Sequence, residues 1–400
     1  MDKIEEVKKE HNWDELRAQI FKKYDKDFLV GQLESFAYEK IVDEGLNDKG
    51  KMVSQLLNNW FREVQYKAKN IRAKYTPYEV LMNDELLEQA FAKIDKKPDY
   101  YNMGSDAMNF VSFVTNEGSM VSKVATFSPN LARKIYESYC PKLNGVIYDY
   151  SCGWGARLLG ALAPRFNYTY YGTDPNSELN VQLNDFAEFI TDTLDDDKYL
   201  PDGTLNPRYK KRYDIRCQGS EFFVPEWEGK VDVAFSSPPY FNVEKYCEET
   251  TQSSTKNDTY EDWVNLFVVP TTQNIWRYVK PGGYCLINLK NLTDAFGGHM
   301  AFCDWVISAV NQGFKLVDMR MMYYQSSRQF GTSKKTGQKR KVNFWGDKEP
   351  VGVLYKPKEG EKVTNMGLLY KMQYECAVLN EKGMEDFNGN LESYKKLRRI

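Results

Sequence analysis

Pro238 and Pro239 impose a hard stop on this chain. They follow Val231–Phe235, an apolar run long enough for one buried strand, and proline offers no N–H to a ladder and fixes φ at about −65°. A strand ending in Ser-Ser-Pro-Pro-Tyr brings four groups to the rim of a sheet. These are the Ser237 hydroxyl, the stiffened Pro238 carbonyl, a rigid turn at Pro239 and the Tyr240 phenol, with Phe241 beside them. Two acceptors next to a flat ring suit a planar amino-heterocycle, held by its amino edge and its face. The plainer alternative is a proline-stiffened loop around a packed tyrosine, and the residues upstream weigh between the two.

Val146–Tyr150 reads as a short strand, Ser151-Cys-Gly-Trp-Gly155 as a turn, and Arg157–Ala163 as the start of a helix. Strand, glycine turn and helix make half a βαβ unit, in which a ligand can approach backbone N–H groups at the helix N-terminus. Tyr168–Thr173 is a second strand, ending in Asp174-Pro-Asn176 before a helix with Leu179, Leu183, Phe186 and Ile190 on one stripe. An acid about 20 residues past the glycines is well placed to accept hydrogen bonds from ribose hydroxyls. Asp192–Arg212 reads as a polar surface excursion. Further strands are expected at Tyr213–Gln218, Val231–Phe235, Tyr284–Leu289 (after the turn Lys280-Pro-Gly-Gly283), Lys315–Tyr323 and Val351–Tyr355. Between them lie a helix opened by Thr259 and interrupted by Pro270, and another over His299–Asn311. This alternation predicts an α/β fold with a doubly wound, mostly parallel seven-stranded sheet.

Residues 1–125 read as mostly helical, with Leu56, Leu57, Trp60, Phe61 and Val64 at helical spacing. Thr76-Pro-Tyr-Glu79 forms a capping box leading into Leu81, Leu86, Leu87, Phe91 and Ile94. Between Asp99 and Lys123 the pattern weakens, as in a segment that covers a site or joins two domains. Ser128-Pro129 opens another helix. The expected division is a helical region at 1–125, a ligand-binding α/β domain at 126–357 and an extension at 358–400.

A formal net charge of −2 leaves any nucleic-acid contact to a local patch. One patch stands out between residues 324 and 346, where Arg328, Lys334, Lys335, Lys339, Arg340 and Lys341 occur without an acid. With only His11 and His299, a histidine triad or multi-histidine metal site is excluded. The seven cysteines form no C-x-x-C pair, and there is neither a signal peptide nor a run of 18 apolar residues. A cytoplasmic protein without metal or membrane partner is therefore expected.

Leu158 stands where G-x-G-x-x-G needs its third glycine, and no P-loop motif occurs. Taken in order, the motifs instead resemble those of the S-adenosylmethionine-dependent amino-methyltransferases of DNA. Tyr148-Asp-Tyr-Ser-Cys-Gly-Trp-Gly155 is similar to their V-D-P-F-x-G-x-G motif, with Tyr150 and Ser151 in place of proline and phenylalanine. Gly172-Thr-Asp-Pro175 is similar to the ribose-binding motif, Gln218-Gly-Ser220 to the adenine-edge motif (with serine where aspartate is common), and Ser237-Pro-Pro-Tyr240 to the catalytic D/N/S-P-P-Y/F. Thr126-Phe-Ser-Pro129 corresponds to a further methionine-side motif. The resemblance covers about residues 127–356 and implies a class I methyltransferase (Rossmann-like) fold. It implies that Phe127, Ser128, Asp149, Ser151, Gly153, Gly155, Asp174, Gly219 and Ser220 bind S-adenosylmethionine. It also implies that Ser237, Pro238, Pro239 and Tyr240 carry catalysis on a flipped cytosine N4 or adenine N6 in DNA, gripped by the basic loop. Serine at the first catalytic position leans toward cytosine. A methyl group on positive sulfur needs no strong base, in keeping with a site that lacks histidine. Methylation of RNA bases or of protein glutamine, and a non-catalytic nucleic-acid-binding scaffold, are the competing readings.

Overall fold

The computed structural model describes residues 11–40, 45, 46, 50, 53–96, 104–116, 121–247, 249, 251–292, 297–323 and 348–366. The basic-loop residues Arg328, Lys334, Lys335, Lys339, Arg340 and Lys341, and the extension beyond residue 366, lie outside this set.

The chain opens with helices α1 (Trp13–Ile20), α2 (Lys26–Ala37) and α3 (Ser54–Tyr66), followed by a two-residue strand β1 (Lys69–Asn70). Asn12 and Asp25 cap the first two helices by accepting from the N–H groups of Glu15 and Phe28. The capping box at Thr76 and Glu79 forms as expected, but its helix α4 (Pro77–Leu81) is short. Asn83 caps a new helix, α5 (Asp84–Ile94), so one apolar stripe is carried by two helices. The weakly patterned segment before residue 123 contains α6 (Asp106–Asn116).

The α/β part then runs α7 (Pro129–Tyr139), β2 (Val146–Asp149), α8 (Ala156–Leu162), β3 (Thr169–Thr173), α9 (Ser177–Leu194), β4 (Tyr213–Arg216) and β5 (Val231–Ser236). After β5 come β6 (Glu244–Lys245), α10 (Ser253–Lys256), α11 (Tyr260–Trp263), α12 (Val269–Tyr278), β7 (Val279–Asn288), α13 (Ala301–Gln312), β8 (Lys315–Tyr323) and β9 (Lys348–Tyr355). Pro270, expected to interrupt a helix, is accommodated by a wide π-turn over Val264–Val268 immediately before it.

Seven strands form one sheet in the order β4-β3-β2-β5-β7-β9-β8. All neighbours are parallel except β9, which runs antiparallel to both β7 and β8. This is the mostly parallel, doubly wound sheet expected of a class I methyltransferase fold. From β2 the chain builds outward to β3 and β4, then returns to place β5 on β2's other side. That reversal opens a crevice at the strands' carboxyl ends, where open α/β sheets bind ligands.

One face of the sheet is covered by α7, α8 and α9, and residues of α2 and α3 belong to the same hydrophobic core. The other face packs under α12 and α13, with Trp263, Trp305 and Tyr278 wholly buried. A separate cluster joins α1, α5 and α6. The N-terminal region is also tied to the site by a strand pair, since β1 runs antiparallel to β6 and the Ile71 N–H donates to the Val243 carbonyl at 3.0 Å.

Candidate functional site

A cavity of about 480 Å³ opens at the carboxyl ends of β2, β3 and β5, within the usual size range for a ligand pocket. The glycine turn forms one wall and the Ser-Pro-Pro-Tyr stretch another. They are joined directly, because the Ser236 hydroxyl at the end of β5 donates to the Ser151 carbonyl at 3.3 Å.

Within the turn, Gly153 and Gly155 have φ of +56° and +68°, a conformation that side chains rarely adopt. Gly153 lines the cavity. Gly155 is turned toward α3, where a Cβ would collide with the Phe61 ring. Ser151 lines the cavity, and its hydroxyl donates to the Tyr150 carbonyl at 2.6 Å. Tyr150, the departure from the family's proline, donates its hydroxyl to the Leu286 carbonyl at 2.8 Å and stacks on Trp305. The larger residue thus ties the turn to β7.

Asp149 is fully buried and is not a lining residue. Its Oδ2 accepts from Arg157 Nε at 2.9 Å and from the Tyr170 hydroxyl at 2.8 Å, and its Oδ1 from the Ser151 N–H at 3.3 Å. Arg157 does line the cavity, with its guanidinium over the Phe127 ring. Burial works against this cation, yet Asp149 holds its ionisation above the ordinary arginine value. Nε goes to Asp149 and Nη2 to the Ser151 carbonyl, while Nη1 has no partner among the described residues. Phe127 is a wall of the cavity, whereas the Ser128 hydroxyl caps α7 by accepting from Leu131 N–H at 3.4 Å.

Asp174, at the end of β3, lines the cavity and accepts from the Gly153 and Asn176 N–H groups, both at 3.1 Å. Burial pushes its carboxyl up to about 6, against the pull of those two hydrogen bonds. Gly219 and Ser220 also line the cavity, and the Ser220 hydroxyl is spent on Thr271 at 2.9 Å. The next residue, Glu221, is an acid that also lines the cavity. One of its oxygens pairs with Lys256, and the other, Oε2, is buried without a partner among the described residues.

Sequence reasoning missed Arg157, Asn176, Glu221, Gln252, Ser253, Glu244, Tyr246, Lys290 and Glu349, all of which line the cavity. An arginine in an otherwise apolar helix start was the available signal for Arg157. Four lining residues carry buried polar atoms without partners among the described residues, namely Asn176 Nδ2, Glu221 Oε2, Gln252 Nε2 and Ser253 Oγ. Such atoms are costly unless a ligand meets them. Donors and acceptors left open beside Asp174 match a nucleoside rich in hydroxyls and ring nitrogens, so the residues present fit S-adenosylmethionine. The segment after β6 bears on the same place. The Glu249 carboxylate accepts from the Ser177 hydroxyl at 2.5 Å, and the Thr251 hydroxyl donates to the Pro175 carbonyl at 3.4 Å.

Ser237, Pro238, Pro239 and Tyr240 all line the cavity. The Tyr240 hydroxyl accepts from the Lys290 N–H at 2.8 Å, which fixes the ring against the end of β7. Neither histidine lines the cavity. Among the described residues no cluster of His, Cys, Asp or Glu could hold a metal ion, and no helix is long and apolar enough to cross a membrane.

No family model and no curated protein matches the chain. Among solved structures it is similar to geranyl diphosphate methyltransferase in complex with GPP and sinefungin, at 9% identity and TM-score 0.33, over 49% of this chain and 63% of that one. It is similar to TrmN from Thermus thermophilus at 13% identity and TM-score 0.35, over 58% of this chain and 50% of that one. A TehB-like SAM-dependent methyltransferase from Corynebacterium glutamicum gives 16% identity and TM-score 0.32, over 56% and 86%. The chain spans less than two thirds of the first two proteins. At such identities and TM-scores nothing of those proteins' chemistry transfers to it.

Proposed function

We propose that this chain transfers a methyl group from S-adenosylmethionine to the exocyclic amino group of a DNA base, cytosine N4 or adenine N6, drawn out of the duplex. What supports the reading is one cavity lined both by the glycine turn with Asp174 and by Ser237-Pro-Pro-Tyr240. Asp174 would accept from the ribose hydroxyls, the open Oε2 of Glu221 from the adenine amine, and Arg157 Nη1 would meet the methionine carboxylate. When bound, the cofactor supplies a methyl group activated by positive sulfur.

A base's amino group is a poor nucleophile because its lone pair is delocalised into the ring. Ser237 Oγ and the Pro238 carbonyl would accept its two N–H groups and return the lone pair to nitrogen. Tyr240 would stack on the ring, a contact worth about 1–3 kcal/mol per base, and fix the line of attack. Removing a base from the stack costs a few kcal/mol, and this clamp offsets part of it. Phosphate contacts are assigned to the basic residues of 324–346 on sequence grounds alone.

Labelled S-adenosylmethionine offered to DNA, RNA and cell protein, with mass spectrometry of the methylated product, tests the reading. Methylcytosine or methyladenine in DNA supports it. Label only in RNA or in protein glutamine would move the substrate to a competing class, and no transfer to any of them would leave a scaffold. Ser237→Ala should lower the single-turnover rate while cofactor and DNA affinity stay near the parental values, the pattern of an interaction made in the transition state.

A further inference from the structure

Seven residues past Ser237, on the strand that β1 holds in place, Glu244 lines the same cavity. The Tyr246 hydroxyl donates to its Oε2 at 2.6 Å. Its Oε1 has no partner among the described residues. Tyr246 lines the cavity too, together with Tyr240 of one half and Asp174 of the other. Lys290, whose backbone holds Tyr240, pairs its amine with Glu349 Oε1 at 3.3 Å. Lys69 of β1 turns its amine to the Lys74 carbonyl at 3.0 Å. Lys69 and Lys290 thus have other partners, and Glu244 keeps an acceptor oxygen open among the described residues.

We propose that Glu244 is a catalytic residue, with Oε1 as the atom that receives the proton released from the target amine. This rests on the methyltransfer reading above. The target nitrogen gains its bond to the methyl carbon as that carbon's bond to sulfur breaks. As positive charge develops on the nitrogen, one of its two protons moves from its hydrogen bond with Ser237 Oγ or the Pro238 carbonyl to Glu244 Oε1, leaving a neutral N-methylamine and a neutral carboxyl. No strong base is needed, because a protonated amine of this kind is strongly acidic and an ordinary carboxylate accepts from it. Burial lifts the Glu244 carboxyl above its usual value, with the Tyr246 hydrogen bond pulling against it and Glu349 adding to it. That shift makes Glu244 a better acceptor than an exposed glutamate.

The test is single-turnover methylation of DNA at saturating cofactor, followed across pH, with cofactor binding measured calorimetrically as the check on folding. The parental rate should rise with pH through a Glu244 ionisation above the ordinary glutamate range. Glu244→Gln, which keeps the shape and can still accept from Tyr246, should bind cofactor normally, lose at least tenfold in rate and lose that limb. Tyr246→Phe removes the hydrogen bond that lowers the ionisation, so the limb should move to higher pH. Infrared difference titration of parent against Glu244→Gln reads the carboxyl without turnover and should show the same upward movement in Tyr246→Phe. A Glu244→Gln enzyme with parental rate and pH profile overturns the role of Glu244 and leaves the methyltransfer reading intact. An ordinary glutamate titration unmoved in Tyr246→Phe overturns it too. A parent that binds cofactor but methylates no DNA brings down both readings together.

Discussion

Of two adjacent parallel strands, β2 ends in Asp149 and β3 is followed directly by Asp174, and the two carboxylates have opposite fates. Asp149 is met by a guanidinium, a phenol and an amide, and is sealed from the cavity. Asp174 is met only by two amides, faces the cavity, and is pushed up to about 6 by burial. The first carboxylate is settled by the fold. The second keeps acceptor capacity, and its charge is a burden until a ligand arrives. Resemblance to a motif assigned both to the cofactor, and their partners separate a structural role from a binding one.

The largest effect expected from this contrast is at Asp149. Asp149→Ala would leave Arg157 buried without its counter-charge, a loss of about 3–5 kcal/mol. Urea unfolding should show it, and a loss under about 1 kcal/mol would break the distinction.

Next is Asp174→Asn, which should raise ligand-free stability at neutral pH. The folded carboxyl ionises at about 6 against an ordinary 3.8. Its ionisation therefore opposes folding above that range, by at most about 3 kcal/mol at 1.36 kcal/mol per pH unit. Loss of one amide acceptor offsets part of the gain. The gain should fade as pH falls below about 6 and vanish once the carboxyl is protonated in both folded and unfolded chains, below about 4. The same variant should bind S-adenosylmethionine about 1.5–3 kcal/mol more weakly, by calorimetry. Asp174→Asn that destabilises at neutral pH and binds normally would make the two aspartates alike.

The smallest effect sharpens the comparison within the turn. Gly155→Ala meets the Phe61 ring as well as a left-handed backbone and should cost about 1–3 kcal/mol. At Gly153 a Cβ would make only ordinary contacts, with Arg157 Nη2 at 3.7 Å and the Ser151 carbonyl oxygen at 3.9 Å, so Gly153→Ala meets only the backbone term, about 1 kcal/mol. Equal losses in thermal unfolding would mean that the packing of α3 on the turn contributes nothing.

All seven strands of the large sheet were legible, because each is a short apolar run bounded by turn residues and separated by helical periodicity. Their ends were less so. Lys280-Pro-Gly-Gly283 reads as a turn before Tyr284 but lies inside β7, whose pairing with β5 shifts register around it. The helix over Asp106–Asn116 was hidden by neighbouring glycines. Most residues named from the motifs line the cavity, with Asp149, Ser128 and Gly155 as exceptions, whereas lining residues from irregular chain carried no sequence signal. Glu244, Tyr246, Gln252 and Ser253 follow a double proline with no periodicity to place them, and only the fold brings them back to Asp174. Lys290 and Glu349 reach the cavity from β7's end and from β9, a juxtaposition no local pattern encodes. Charge alone did not mark Arg157 or Asp149 as partners, since the pairing depends on a turn closing between them.

The order β7-β9-β8 has a consequence for how the chain must assemble. Among the described residues β8 pairs only with β9, and β9 is the last described strand to be synthesised. Until then β8 is an unpaired strand carrying Leu316 and Met322, and the edge of β7 beside it is bare. β1 waits even longer in relative terms, since its partner β6 is made only after four strands of the sheet. Closing such distant pairs is entropically slow. A nascent chain stalled before residue 348 would thus expose two strand edges at once, and unpaired edges of this kind invite misassociation during late synthesis.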